Sequence, residues 1–396
     1  MSKSLPKGWK IEKIGNLCEV GRGSSPRPIV DSKYFEGGTI PWIKIADATK
    51  SGKYLYETKE KVNKYGASFS RLLPKGSLIV AASGTLGYTQ ILGVDGCIHD
   101  GWLYLSNFQR VNKDFLYYLL QWRKDYFYNS AYGAAIQNVN TIILREMEIM
   151  LPPLHTQLKI ASILSAYDDL IENNTRRIKI LEEMAQAIYK EWFVNFRFPG
   201  HEKVKMVESD LGLIPEGWEV RRLGEVAELA YGKGLRKKDR REGTFPVYGS
   251  GGIVGYHDEY LVEGPGVIVG RKGNVGSVFW SQKSFHPIDT VFFVNSSISL
   301  YYIFFSLKEQ NFVNNDAAVP GLSRNQAYLN KFLLPSNKIL HRFSHIIAPI
   351  FNQIENLQSQ IGNRRRTRDL LLLKLISGEI NMEDLDMEDV LNEGAV

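Results

Sequence analysis

The chain is written twice, and no other feature of its sequence limits the fold so strongly. Leu5-Pro-Lys-Gly-Trp9 returns as Ile214-Pro-Glu-Gly-Trp218, and Gly15 matches Gly224 at the same offset of 209. Leu78-Ile-Val-Ala-Ala-Ser-Gly-Thr-Leu-Gly87 matches Val267-Ile-Val-Gly-Arg-Lys-Gly-Asn-Val-Gly276 at 189. Ala134–Asn140 matches Ala317–Ser323 at 183, and that offset then holds through a helical tract, pairing Ile163 with Ile346, Ile171 with Ile354, Glu172 with Glu355 and Ile178 with Ile361. The falling offset puts extra residues inside the first copy. Solenoid repeats run to about 20–50 residues, so this longer period is a duplicated domain. Each copy is a globular unit followed by a long helix.

Within the units, short apolar runs bounded by glycine (Leu78–Ala82, Val267–Val269, Val291–Val294) predict strands, and the aromatic runs Phe115–Trp122 and Tyr301–Leu307 predict short helices. Pro152-Pro153 closes the first unit, and the polar stretch Phe198–Asp210, with Pro199-Gly200, predicts a linker. From Leu154 to Phe193 there is no Pro or Gly. One register there holds Leu164, Ile171, Ile178, Ala185 and Trp192, and its companion holds Ile160, Tyr167, Asn174, Leu181 and Ile188. The second tract repeats this with Ile347, Ile354, Ile361, Arg368 and Leu375 beside Phe343, Ile350, Leu357, Arg364 and Leu371. Alternating three- and four-residue spacing over more than four heptads is a coiled-coil seam. About 38 residues would make a rod of roughly 57 Å. Heptads of this kind also serve dimerisation between chains, but two matched seams in one chain favour pairing within it. Antiparallel packing brings Arg364 and Arg368 towards Asp168 and Asp169 and predicts at least one ion pair there.

Composition narrows the function. Of 396 residues, 44% are hydrophobic and 23% charged, as in a globular domain and unlike a disordered one. No apolar stretch approaches the roughly 18–20 residues of a bilayer span. The segment MSKSLPKGWK lacks an apolar leader core, and the two cysteines, Cys18 and Cys97, read as reduced core thiols. Both point to a cytoplasmic protein that avoids membranes. The net charge is +6, but the last 18 residues hold seven acids and no Lys or Arg. The rest carries 49 bases against 36 acids, or +13, a surface suited to a polyanion.

Motifs for chemistry are missing. There is no G-x-x-x-x-G-K-[ST] loop, Gly249–Gly255 is misspaced for dinucleotide binding, and no [DNS]-P-P-[YFW] tetrapeptide occurs. His341 and His345 lack the Glu of H-E-x-x-H, which leaves them as surface histidines. Neither a catalytic residue nor a metal site is expected.

What recurs instead is glycine with basic and amide residues in loops after strands. In the first unit the candidates for contact with nucleic acid are Arg22, Ser24, Ser25, Arg27, Lys44, Ser83, Thr85 and Asn138. In the second they are Lys233, Arg236, Lys237, Lys238, Arg241, Arg271, Lys272, Asn274, Arg324 and Asn325. Such loops bring backbone close to phosphate, while Arg and Asn read guanine and adenine edges bidentately. Any one of these residues equally suits a solvated loop. The run Lys233–Arg241, six bases in nine positions, suits phosphate better than base readout.

In this order, Pro6-Lys-Gly-Trp9, Gly21–Pro28, Tyr34-Phe-Glu-Gly-Gly-Thr-Ile-Pro-Trp42, Tyr231-Gly-Lys-Gly234, Pro246–Tyr256, Gly270–Gly276, Leu151-Pro-Pro-Leu-x-x-Gln157 and Leu371–Ile380 resemble the specificity (S) subunits of type I restriction-modification enzymes. The resemblance covers nearly the whole chain. It implies an α+β fold with an internal pseudo-two-fold repeat. Two target recognition domains, each a mixed, strongly curved sheet with short helices, would be held apart by two long antiparallel coiled-coil helices. The segments would be recognition domain 1 (1–153), spacer helix 1 (154–198), linker (199–213), recognition domain 2 (214–336), spacer helix 2 (337–380) and acidic tail (381–396). Each domain would bind half of a bipartite double-stranded DNA target, with the helices as the ruler between halves. The partners implied are two modification subunits, bringing S-adenosylmethionine to methylate adenine N6, and restriction subunits using ATP and Mg. This chain itself would carry no cofactor. Tyr189, Trp192 and Phe193 either dock the modification subunits or cap the coil. Three alternatives stay open: a freestanding bipartite DNA-binding protein, a structural coiled-coil adaptor, and service to a system whose modification and cleavage share one polypeptide.

Overall fold

The computed structural model describes residues 5–49, 51–130, 139–312 and 321–382. The chain divides into two compact units, Met1–Asn174 with Gln360–Val396, and Thr175–Ser359. Unit 1 opens with β1 (Lys10–Lys13), β2 (Glu19–Arg22), β3 (Ile40–Ile43), α1 (Ile45–Ala48), β4 (Tyr54–Leu55), β5 (Glu60–Val62), α2 (Lys64–Ser68) and β6 (Arg71–Leu73). It continues through β7 (Leu78–Ala81), β8 (Thr89–Leu92), β9 (Gly96–Ile98), β10 (Trp102–Ser106), α3 (Lys113–Trp122), α4 (Lys124–Ser130), α5 (Thr141–Arg145) and β11 (Glu148–Leu151). Helix α6 spans Leu154–Tyr189. The second copy holds β12 (Met206–Ser209), β13 (Gly212–Pro215), β14 (Glu219–Arg222), α7 (Leu223–Val226), β15 (Glu228–Tyr231), β16 (Phe245–Gly249), β17 (Gly252–His257) and β18 (Gly266–Gly270). After it come β19 (Val278–Ser281), β20 (His286–Pro287), β21 (Val291–Asn295), α8 (Leu300–Glu309), α9 (Arg324–Leu329), β22 (Lys331–Leu334) and α10 (Asn337–Ile376). No helix among the described residues is long and apolar enough to cross a membrane.

The duplicated sequence folds into a duplicated topology. Unit 1 has a sheet ordered β2-β10-β7-β8-β4, and unit 2 has β15-β21-β18-β19. The second sheets, β5-β3-β9-β6 and β17-β16-β20, each contain one parallel pair, β3 with β9 and β16 with β20. β1 pairs β11 antiparallel as β14 pairs β22. Between β3 and β7 the first copy is longer than the second is between β16 and β18, and it holds α1, β4 and α2 there. Even the caps repeat: Asn140 accepts from the Ile143 amide to start α5, and Ser323 accepts from Gln326 to start α9.

Alternation along the central strands creates two cores per unit. Leu78 and Val80 of β7 join Phe115, Leu116 and Leu119 of α3 on one side, while Ile79 and Ala81 join Ile43, Ile98 and Trp102 on the other. In unit 2, Val267 and Val269 of β18 face Ile303 and Phe304 of α8, and Ile268 faces Tyr248 and Phe285. A strand covered on both faces reads as a continuous apolar run, which is how both were visible in the sequence.

Each unit also holds a part of both long helices, packed antiparallel. In unit 1, Asp168 pairs with Arg368, Asn174 Nδ2 donates to Gln360 Oε1 at 3.0 Å, and Lys159 Nζ donates to the Met382 carbonyl at 3.2 Å. The expected ion pair is therefore present, made by Arg368 with Asp168. The seam side chains Leu164, Ile171, Asn174, Ile347, Ile354, Leu357 and Ile361 are buried, and Tyr167, Ile178, Leu181, Ile188, Ile350 and Leu371 are half-buried. α6 runs to Tyr189 and winds on through a π turn, Lys190–Val194, and α10 passes through Pro349, which sits on an exposed position. His341 and His345 are exposed on α10.

Two expectations need correction. Part of the stretch read as a linker is a hairpin, β12 with β13, closed by Ser209 Oγ donating to the Gly212 carbonyl. Of the two readings left open for Tyr189, Trp192 and Phe193, docking a partner falls and capping the coil stands: they are buried among Trp218, Tyr302, Phe305 and Phe343, with the Phe193 ring 4.6 Å from Tyr302 and 4.9 Å from Phe343. An aromatic triplet at a helix end finds most of its partners, Tyr302, Phe305 and Phe343, more than a hundred residues away, which periodicity does not register. Asn138 and the tail from 383 on lie outside the described residues.

The Asp168–Arg368 pair is tied into a larger polar group. Tyr118 Oη donates to Asp168 Oδ2 at 2.6 Å, and Lys53 reaches Asp114 at 2.9 Å and Ser165 Oγ at 2.7 Å. The Asp168 side chain is 5% exposed and that of Arg368 25%. Removing one partner strands a buried charge, so R368A is expected to destabilise the protein by about 3 kcal/mol in chemical denaturation. The double variant D168L/R368L should lose less than the sum of the single variants; additive losses would mean the pair is uncoupled.

Candidate nucleic-acid interface

The candidate residues of unit 1 converge at the ends of β2, β3, β7 and β9. Gly23 follows β2 and lies so close to the next loop that a Cβ there would meet the His99 carbonyl oxygen at 2.1 Å. Gly232 stands at the matching place after β15, where a Cβ would meet the Ile288 oxygen at 2.2 Å. The glycines thus let the basic loops press against the β9–β10 and β20–β21 connections, a close approach no side chain permits.

Asp100 organises the first site. Its backbone carbonyl accepts from Arg22 Nε at 2.8 Å, its carboxylate accepts from Ser25 Oγ at 3.0 Å, and its other oxygen pairs with Arg27. Next to it His99 Nδ1 accepts from the Gly101 amide at 2.7 Å, and burial lowers the His99 pKa, which keeps the ring neutral at pH 7. Ser83 is half-buried against Gly101. Lys44 lies 4.8 Å over the Trp42 ring and pairs with Glu60, and Trp42 in turn meets the His99 ring at 6.1 Å. Ser24 and Thr85 are exposed at the margin. Arg22, Ser25, Arg27, Lys44 and Ser83 are therefore brought together; Asn138 falls outside the described residues.

The second site is arranged differently. Tyr231 ends β15 and is 50% exposed, and the guanidinium carbons of Arg271 and Arg324 each lie 4.9 Å from its ring centre. Arg271 donates to the Asp289 carbonyl at 2.8 Å. Arg324 Nε is buried with no hydrogen-bond partner among the described residues. The run Lys233–Arg241 is not uniformly available. The Lys233 carbonyl accepts from His286 Nε2 at 3.2 Å, Arg240 donates to the Val254 carbonyl, and Arg241 is engaged by Asp258 and Glu259 at 2.7 and 2.6 Å. Arg236, Lys237 and Lys238 are exposed without an ion pair among the described residues, and Lys272, Asn274 and Asn325 are exposed too. Asp100, His99 and Tyr231 were not among the sequence candidates. Tyr231 carried the one available signal, an aromatic immediately before a Gly-Lys-Gly turn.

Burial alone raises the Asp100 pKa, but the Ser25 hydroxyl, Arg27 and His99 outweigh it and hold the carboxyl below its ordinary 3.8. The contribution to stability is therefore present above that value and lost as pH falls through the depressed one. In an NMR titration of the intact chain Asp100 should have its midpoint below 3.8, and S25A and R27Q should each move it upward. An unchanged midpoint in both would remove Asp100 as the hub.

The family described as Type I restriction modification DNA specificity domain matches residues 6–183 and again 215–367. The type I restriction enzyme MjaIX specificity subunit of Methanocaldococcus jannaschii is 27% identical, over 96% of this chain and 95% of that one. The HindI specificity subunit of Haemophilus influenzae is 25% identical over 59% of this chain and 69% of its own length. Among solved structures, an S subunit of a type I restriction-modification system from M. genitalium superposes with a TM-score of 0.61 at 17% identity, covering 95% of this chain and 97% of that one, a likeness of fold.

Proposed function

Because this chain belongs to the type I restriction modification DNA specificity family, matched once in each half, we propose that it is the sequence-recognition subunit of a type I restriction-modification complex. Its role is non-catalytic, and its two units each read one half of a bipartite double-stranded DNA target. The observation that carries this reading is that one topology is used twice with two different loop sets at matched strand ends. Asp100 gathers Arg22, Ser25 and Arg27 in one unit, and Tyr231 gathers Arg271 and Arg324 in the other. A single reader copied and then diversified at its loops suits two unlike half-sites better than a palindrome. α6 and α10 would set the interval between the halves.

The chemistry would come from partners in the cytoplasm. Two modification subunits would bring S-adenosylmethionine and methylate adenine N6, and restriction subunits would bring ATP and Mg for translocation and cleavage. No step of either reaction is assigned to residues of this chain.

Modification-sensitive sequencing of a host expressing the chain with its methyltransferase should reveal a bipartite adenine-methylated motif. Exchange of residues 1–153 for those of another family member should change one half of that motif only; changes in both halves would contradict one unit per half-site. A stable complex with the methyltransferase in the absence of DNA is expected, whereas tight specific binding by the isolated chain would favour a freestanding DNA-binding protein. Affinity of the complex for DNA should fall linearly on a log–log plot against salt, and a flat line would favour a structural adaptor.

A further inference from the structure

We propose that Arg271 and Arg324, packed on Tyr231, select guanine in the half-site read by unit 2. The inference rests on the recognition role just argued and assigns that role to particular side chains.

Three observations set this cluster apart from the other basic residues. The first is immobilisation. Arg271 is the residue after β18; its amide donates to the Thr290 carbonyl at 2.9 Å, its carbonyl accepts from Leu322 at 2.8 Å, and its Nη1 donates to Asp289. Arg324 opens α9, and Tyr231 is fixed by β15 and by the close packing of Gly232 behind it. The second is cation–π contact: both guanidinium carbons lie 4.9 Å from one ring centre, and Arg271 also lies 5.8 Å from Phe292 and Arg324 5.9 Å from Tyr328. The third is missing compensation. Neither group has an ion-pair partner among the described residues, although the two charges are no more than about 10 Å apart. Arg27 and Arg241 each have an acid instead.

Two like charges kept close with no acid paired to them among the described residues are relieved by an electron-rich ligand. The cation–π contact chooses which kind. A guanidinium held over a ring offers two parallel N–H groups in its own plane, which matches O6 and N7 of guanine. A phosphate accepts a point charge from many directions, which suits the exposed Lys237 and Lys238. A span of about 10 Å covers about three base-pair steps of 3.4 Å, so the guanines lie within about three pairs of each other. At the positions matched by the repeat, unit 1 has Arg22, Ala82 and Thr141, so the feature belongs to one half-site.

The test uses the full chain with its methyltransferase partner, read by modification-sensitive sequencing and by binding to oligonucleotides carrying single substitutions. If the wild type yields no bipartite motif, the recognition role and this inference both fall. With a motif in hand, the half controlled by unit 2 should contain guanine, preferred by about 5- to 150-fold over other bases. R271K and R324K keep the charge but lose the planar fork, and each should remove most of that preference at one position. Y231L should weaken both preferences and Y231F neither. K237Q/K238Q should lower binding to all sequences alike and flatten the salt dependence. A half-site without guanine, or R271K and R324K chains that bind more weakly while keeping the same base preferences, would overturn the inference and leave the recognition role standing. Co-purification of each variant with the methyltransferase separates loss of selectivity from loss of fold, and should one Arg variant fail to assemble, the other carries the test.

Discussion

Strands β7 and β18 are buried on both faces, and the rest of each unit follows from that constraint. A strand in that position must be apolar at every residue, so it carries no chemistry itself. Its alternate side chains divide between a helix-facing and a sheet-facing core, which ties α3 or α8 and the second sheet to one rigid element. Function is left to the strand ends. There the chain turns sharply through glycines, backbone runs against backbone, and side chains from three or four connections meet. The architecture is conservative in its middle and free at its margin, so one fold can be duplicated and its two copies can diverge in what they hold.

The long helices work under a different constraint. A seam of purely aliphatic residues would tolerate sliding by a heptad. Asn174 at a seam position, bonded to Gln360, and Asp168, shared between Arg368 and Tyr118, penalise any such shift by leaving polar groups buried and unpaired. Lys53, with its side chain 1% exposed, extends the group into the segment that only the first copy possesses. The polar residues thus fix a register that hydrophobic burial alone leaves ambiguous, and they do so at some cost in stability compared with an apolar seam.

Much of this was legible in the sequence, for physical reasons. Period-two burial left continuous apolar runs at β7 and β18, heptads left a seam whose every position is buried or half-buried, and antiparallel pairing of two equal seams led directly to Arg368 with Asp168. What escaped lay in pairings that no local pattern records. Asp100 is 73 residues from Arg27, and Tyr231 gathers arginines from two other connections. Arg241 looked like part of a free basic run but is neutralised by acids 17 and 18 residues further on. The hairpin hidden in the presumed linker did have a signal: Leu211–Ile214 leads straight into the repeated Pro-x-Gly-Trp motif.

The charge pattern sharpens what the two copies have become. In unit 1 Arg27 and Lys44 already hold carboxylates, so a phosphate arriving there must displace Asp100 or Glu60, and the net electrostatic gain is the difference between two similar interactions. In unit 2 Lys237, Lys238, Arg271 and Arg324 hold no acid among the described residues, so on the proposed recognition role a phosphate would meet Lys237 and Lys238 without displacing a carboxylate and would release its condensed counterions. In unit 1 Arg27 and Lys44 are oriented in advance by their acids, which on the recognition role proposed above would favour direction over affinity. Duplication gave two copies of one scaffold, and the pairing of their charges has since made them unequal.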